Sequence, residues 1–284
     1  MSEIAFVLGN GESRKIFPIE ELKGHGTIWG CNAIYRDHPS LCDNIVSVNP
    51  PMYDELKEWR DKSTFDSNIY GPDDISEWNY LLDDDNPTKI PKGLKIYRQW
   101  IGSNNQGKVK ILDLSMSRGS GMSALLLAAE DLERRFPNRQ GMERKPVKNI
   151  AILGFDIMGS EQWKDPHVQA RKQNNIYKNT INYPSRMNMK AYLKYEWMFQ
   201  LRQIIRKFPG INFYFVNRIE YLNGNPYLKY YFDQPNVKCG IYADLKLWLD
   251  GNFDDIKWRD THFKGWRALE QVQMRWTGNS KRTT

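Results

Sequence analysis

The hydrophobic pattern opens with a short apolar run, Ile4-Ala5-Phe6-Val7-Leu8, which breaks at once into Gly9-Asn10-Gly11-Glu12-Ser13-Arg14. A compact β-type run followed by two glycines predicts a strand entering a tight, ligand-facing turn. Glycine permits close backbone approach there, while Asn and Ser supply donors and acceptors at the same bend. The design recurs twice. Thr27-Ile28-Trp29-Gly30-Cys31 runs into Asn32, and Ile45-Val46-Ser47-Val48 runs into Asn49 ahead of Pro50-Pro51. Strands ending in Asn10, Asn32 and Asn49 would bring three amides to one edge of a parallel sheet, where ligands commonly bind. A loop cap would explain each Asn taken alone, whereas three at matching places favour a shared site.

Further along, the pattern alternates between helical and strand periods. Helices are expected over 19–22, 52–59, 122–132, 191–208, 242–249 and 263–276, and strands over 95–101, 149–156 and 211–217. The 122–132 helix follows Ser117-Arg118-Gly119-Ser120-Gly121. That places Ser120, Gly121 and their amides at a helix N-terminus, which suits a phosphate, with Arg118 able to add charge. Asp156 ends a strongly apolar strand. It could orient a hydroxyl, accept a proton, support a metal or simply cap the local backbone. The alternation predicts an α/β fold: a Rossmann-like, mainly parallel sheet flanked by helices. Residues 1–217 read as the ligand-binding α/β domain, with an acidic insertion around 60–93 and a lid-like loop over 157–188. Residues 218–284 read as a helical and aromatic closing region packed on the same core.

Composition changes this picture only in part. The 284-residue chain is 40% apolar and 26% charged, as a folded protein requires. No run reaches transmembrane length and the start lacks a signal-like pattern, so a soluble, cytoplasmic protein is expected. Cys31, Cys42 and Cys239 form no CxxC pair, which argues against a thiol metal site or a disulfide framework. The opening turn lacks the Gly-Lys-Ser/Thr ending of a Walker A loop and does not match the dinucleotide fingerprint. Asp83-Asp84-Asp85 carries metal-compatible carboxylates, but consecutive side chains of an extended segment do not face one point. A solvated acidic loop is the better reading, and no metal site is assigned.

The net charge of +7 is unevenly spread: residues 54–85 carry net −8 and residues 171–229 net +9. Such asymmetry could create an electropositive face for a phosphate-rich partner.

The ordered blocks together carry a resemblance. Ile4 to Ser13, Gly30-Cys31-Asn32, Val48-Asn49-Pro50, Gly119-Ser120-Gly121-Met122-Ser123-Ala124 and Leu153-Gly154-Phe155-Asp156 resemble the bacterial sialyltransferases of glycosyltransferase family 42. The resemblance implies a glycosyltransferase-like fold with a nucleotide sugar, CMP-linked or UDP-linked, bound across the loop end of the sheet. It implies no obligatory cofactor or metal. Gly9, Asn10 and Gly11 would approach the donor nucleotide, and Asn32 its phosphate or sugar. Asn49 would hold ribose or phosphate, and Ser120 and Gly121 would contact the nucleotide. Asp156 would position the donor or support the pocket. An acceptor hydroxyl would attack the activated sugar carbon, and a nucleotide phosphate would leave.

The chain departs from the family at two points. The family's catalytic His has no counterpart in Tyr183-Pro184-Ser185-Arg186-Met187-Asn188, which leaves His167, upstream in the same connector, as the candidate base beside Asp156. The Tyr expected directly after the Gly-Phe-Asp block is replaced by Ile157 and Met158. Tyr177 and Tyr183 are then the candidate phosphate-facing hydroxyls, with Arg171 and Arg186 as candidate charges. The acceptor could be a glycan, or a hydroxylated DNA base if Lys190, Lys194, Arg202, Arg206 and Lys207 contact phosphates. A noncatalytic nucleic-acid-binding protein is the contrasting class. A methyltransferase fits the spacing of the Asn-ended strands poorly.

Overall fold

The computed structural model describes residues 2–48, 50–62, 67–72, 94–97, 119–137, 147–156, 175–177, 179–183, 191–218, 234–252 and 259–260. In chain order these form β1 (Ser2–Leu8), β2 (Thr27–Cys31), β3 (Asn44–Val46), α1 (Pro50–Lys62), β4 (Asn68–Pro72), β5 (Leu94–Tyr97) and α2 (Ser120–Arg135). They continue as β6 (Val147–Leu153), α3 (Ala191–Lys207), β7 (Ile211–Val216), β8 (Val237–Gly240), α4 (Tyr242–Leu249) and β9 (Arg259–Asp260). Short 3-10 turns at Glu12–Ile16, Ile19–Leu22 and Asn32–Arg36 complete the set.

The strands make one sheet in the order β5-β4-β3-β2-β1-β6-β7-β8-β9, parallel from β5 through β8, with β9 antiparallel at the edge. Alternation along β1 sorts its side chains between two cores. Ala5 and Val7 pack with α2 and α3, whereas Phe6 and Leu8 pack with α1 and α4. All four are fully buried. A parallel strand covered on both faces reads as an unbroken apolar run because neither face meets water. Burial of each large side chain contributes about 2 kcal/mol. The mostly parallel sheet flanked by helices is thus the Rossmann-like α/β arrangement.

Three local outcomes bear on the expectations. Pro50 and Pro51 begin α1, where a fixed φ and a missing N–H suit the first turn. The acidic stretch contains β4, short but paired on both sides in the sheet. Its Asn-Ile-Tyr-Gly-Pro sequence offers only Ile69 and Tyr70 as strand formers, so neighbouring strands rather than local propensity define it. Beyond residue 217 the sheet continues: β8 pairs with β7, and Tyr242, Leu245 and Trp248 of α4 share a core with Phe6 and Leu8. Residues 63–66 and 73–93, including Asp83 to Asp85, lie outside the described residues, as do 261–284. None of the helices among the described residues is long and apolar enough to cross a membrane.

Candidate functional site

Strand order reverses beside β1. The chain winds from β1 out to β5 on one side, then resumes with β6 on the other. In such sheets the crevice outside the carboxyl ends at the reversal is where ligands bind. Two turns occupy that place, Gly9-Asn10-Gly11 after β1 and Gly154-Phe155-Asp156 after β6.

They are laced together. The Gly9 N–H donates to the Leu153 carbonyl at 2.8 Å, and the Gly11 N–H to the Gly154 carbonyl at 2.8 Å. A Cβ on Gly11 would stand 2.5 Å from Asp156 Cγ, and one on Gly9 would stand 2.8 Å from the Phe155 ring. Gly154 has φ +68°, a conformation that side chains disfavour, and a Cβ there would meet the Gly9 carbonyl oxygen at 2.7 Å. The glycines that mark the sequence are therefore demanded by contact between two turns 143 residues apart at Ser13 and Asp156.

Asp156 fastens this junction. One carboxylate oxygen accepts the Ser13 N–H at 2.8 Å, and the other accepts Asn217 Nδ2 at 3.0 Å. Burial raises its carboxyl above 3.8; the bonds from Ser13 and Asn217 and the charge of Arg218 offset part of that rise. Asn217 follows β7 and also accepts the Arg218 N–H at 2.7 Å. With both oxygens engaged by the protein, Asp156 has the geometry of a clamp on the first turn.

A second group forms one strand over. Asn10 Nδ2 donates to the Tyr183 hydroxyl at 3.2 Å, and the Asn32 amide stands near enough to the same hydroxyl to oppose part of the rise that burial causes. Asn32 follows β2 with φ +49°, a left-handed conformation that Asn tolerates better than most residues. The Asn10 and Asn32 Oδ1 atoms are buried and have no hydrogen-bond partner among the described residues. Tyr183 is buried, and burial pushes its phenol well above the ordinary tyrosine range. Tyr177, 6.0 Å away ring to ring, accepts a 2.9 Å bond from Nη2 of Arg14. Arg14 is only 2% exposed, and its Nε and Nη1 have no acceptor among the described residues. The Cys31 thiol, also buried at this edge, is pushed up to about 12 by burial.

The start of α2 joins from the opposite face. Ser120 Oγ accepts the Val48 N–H at 3.1 Å, tying α2 to the chain just after β3. A Cβ on Gly121 would stand 3.3 Å from the Phe155 ring, so Phe155 lies between Gly9 and the α2 N-terminus. Gly9, Asn10, Gly11, Asn32, Ser120, Gly121, Asp156, Tyr177 and Tyr183 thus all sit at the carboxyl end of the sheet. Asn49, Arg118, His167, Arg171, Arg186 and Lys190 lie outside the described residues, as does the side chain of Lys194.

The other cations of α3 are placed differently. Lys207 Nζ bonds Glu130 of α2 at 2.9 Å, Arg202 is half-buried and Arg206 is exposed. Two residues of this group, Arg14 and Asn217, are not singled out by the sequence pattern. Asn217 repeats the signal that marked Asn10 and Asn32, an Asn at the end of an apolar strand. Arg14 stands in the opening turn itself, where a charged residue next to Gly-Asn-Gly passes for a solvated one.

No protein-family model matches the chain, and no curated protein is similar to it. Among solved structures, a variant of the alpha-2,3/8-sialyltransferase CstII aligns over 75% of this chain and 81% of that one, at 12% identity and a TM-score of 0.33. The sialyltransferase CST-II in complex with a trisaccharide acceptor and CMP aligns over 75% and 80%, at 11% identity and a TM-score of 0.34. Likeness at this level assigns no role to any residue.

Proposed function

We propose that the chain is a glycosyltransferase that moves a sugar from a nucleotide-sugar donor to a hydroxyl acceptor, with a glycan favoured as acceptor. The observation that carries this reading is the Asn10–Tyr183–Asn32 group at the strand reversal. A phenol oxygen that accepts the Asn10 N–H keeps its own proton to donate to a ligand. Burial keeps that proton in place at neutral pH. The fitting counterpart is an oxygen that gains negative charge during reaction, and the phosphate oxygen of a departing nucleotide is such a group. The two unpartnered amide oxygens accept only donors, so they suit the hydroxyl or amine groups of a nucleotide or sugar. The order of blocks from Ile4 to Asp156 that resembles family 42 supports the same reading.

In the proposed reaction the acceptor oxygen forms a bond to the anomeric carbon, and the bond from that carbon to the phosphate oxygen breaks. The electron pair goes to the phosphate, which Tyr183 stabilises by donating a hydrogen bond. The proton of the acceptor hydroxyl passes to a base, for which His167 is the proposed candidate. Asp156 acts by holding the turns that carry Gly9 to Gly11.

Purified protein incubated with CMP-linked and UDP-linked sugars, with and without glycan or hydroxymethylated DNA, tests the reading by nucleotide release. Acceptor-stimulated release from one donor class is expected. Tyr183→Phe should lower kcat about 100-fold, the scale of removing one donor from a developing oxyanion. Asn32→Ala should chiefly raise KM. Salt-sensitive DNA binding without turnover of any donor would instead identify a nucleic-acid-binding protein.

A further inference from the structure

The 175–183 turn, described except for residue 178, reaches the strand reversal from a remote part of the sequence. Its near end continues the first turn: the Ile176 N–H donates to the Asn10 carbonyl at 2.8 Å, and Asn175 bridges to Gly11. Its far end is held by Arg36 and Glu55. Arg36, in the 3-10 turn after β2, donates from Nη1 to Thr180 Oγ1 at 2.6 Å and from Nη2 to the Ile181 carbonyl at 2.9 Å. The same guanidinium makes a two-pronged pair with Glu55 of α1, from Nε and Nη2, each at 2.5 Å. Glu55 in turn accepts Asn182 Nδ2 at 2.9 Å and the Tyr35 hydroxyl.

Two features describe the turn. Asn179 and Asn182 have φ +67° and +64°, left-handed conformations that Asn tolerates better than most residues and that suit a tight bend. The Arg36–Glu55 pair is largely shielded, with side chains 17% and 24% exposed, so water screens it less than an ordinary surface pair. The planar fork of Arg satisfies a carboxylate, a hydroxyl and a carbonyl in one fixed geometry, which a lysine ammonium cannot reproduce.

We infer that Arg36 and Glu55 are positioning residues for the reaction proposed above: together they set the 175–183 turn so that the Tyr183 hydroxyl meets Asn10 and Asn32. The inference rests on the donor-site reading. The pair bonds both sides of the Thr180–Asn182 bend, and Tyr183 follows at once, with its N–H on the Thr180 carbonyl at 2.9 Å. A shift of this bend would move the phenol away from the two amides. Displacements of about 1 Å in a positioned group can lower a rate 10- to 100-fold.

A double-mutant cycle in the full chain tests it, read as kcat and KM for release of nucleotide from the donor that the wild type uses and as affinity for CMP and UDP. Arg36→Lys and Glu55→Gln should each lower kcat about tenfold with little change in KM. In a Tyr183→Phe background the same substitutions should add little further loss, because their effect runs through that hydroxyl. Amide hydrogen exchange should quicken at Ile176 and Tyr183 in Arg36→Lys while β1 and β6 stay protected, which separates a loosened turn from a protein that fails to fold. Losses that multiply in the double variants, or an unchanged kcat with a loosened turn, overturn the positioning role alone. A wild type that turns over no donor and binds neither nucleotide overturns the donor-site reading, and the positioning role with it.

Discussion

The turn after β1 and the C-terminal half of α3 both concentrate polar chemistry in the sequence, and the fold treats them in opposite ways. At the first turn, polar groups are driven inward: Ser13 and Arg14 are each only 2% exposed, and Asn10 and Asn32 carry buried oxygens without donors among the described residues. On the C-terminal half of α3, Gln200 is also buried, but the charge is carried by Arg206, which is exposed, and Lys207, which is matched to Glu130 of the neighbouring helix with both side chains about two-fifths exposed. Buried polar groups without partners are costly, so a fold that keeps them at a strand reversal is one in which a ligand can complete them. Exposed charges cost little and are readily matched within the molecule. Convergence of several such groups from separate strands distinguishes the two regions where residue type and charge density do not.

The sharpest break in this comparison would come at the glycines. Gly154→Ala combines a disfavoured φ with a Cβ 2.7 Å from the Gly9 carbonyl oxygen, and should lower stability by about 3 kcal/mol in chemical denaturation. A loss below about 1 kcal/mol would mean that the two turns are not as tightly laced as their contacts imply.

Next in size is Asp156→Ala, which leaves the Ser13 N–H and the Asn217 amide without their acceptor and should cost about 2 kcal/mol. Here pH adds a second test. The Asp156 carboxyl is raised above 3.8, so the native state holds its proton more tightly than the unfolded chain does. Its contribution to stability therefore falls as pH rises from 3.8 through the raised value. Glu55 has the opposite sign. Burial acting alone would raise it, but bonds from Arg36, Tyr35 and Asn182 and the Arg36 charge hold it below 4.5. Its contribution is full above 4.5 and is lost as pH falls through the lower native value. Denaturation of wild type, Asp156→Asn and Glu55→Gln from about pH 3 to about pH 7 should give difference curves of opposite slope. Curves of equal slope would contradict the two environments.

The smallest effect is expected on α3. Lys207→Gln removes an exposed pair and should change stability by no more than about 0.5 kcal/mol. Replacing Arg206 and Lys207 together by Gln should leave donor turnover within about twofold, because exposed charges contribute little to the geometry of the first turn. A larger loss of turnover, or abolition of a salt-sensitive DNA complex, would move the functional weight from the first turn to this helix.

Much of the fold was legible because both its signals are local. The apolar runs at Ile4 to Leu8 and Ile150 to Leu153, each followed at once by a Gly turn, form strands, and residues 122–132 form a helix that matches their periodicity. Strand-end Asn residues were legible for the same reason, and Asn217 could have been added by that rule. The partners of those residues were not legible. Tyr183 lies 173 residues from Asn10, and Thr180 lies 144 residues from Arg36, so no window of sequence contains both members of either contact. β4 escaped for a related reason: pairing with β3 and β5, rather than its own composition, makes it a strand.

By itself the sequence determined the central strands β1, β2, β6 and β7, the helices α2 and α3, the mainly parallel sheet they imply, and the polar residues that end its strands. These follow from hydrophobic period and from backbone preference, which act over a few residues. Only the tertiary structure decided that Asp156 clamps the first turn, that Arg14 is buried and that Tyr183 stands between two amides. Those relations depend on chain crossings over more than a hundred residues, where burial and hydrogen-bond geometry, rather than residue type, select the neighbours.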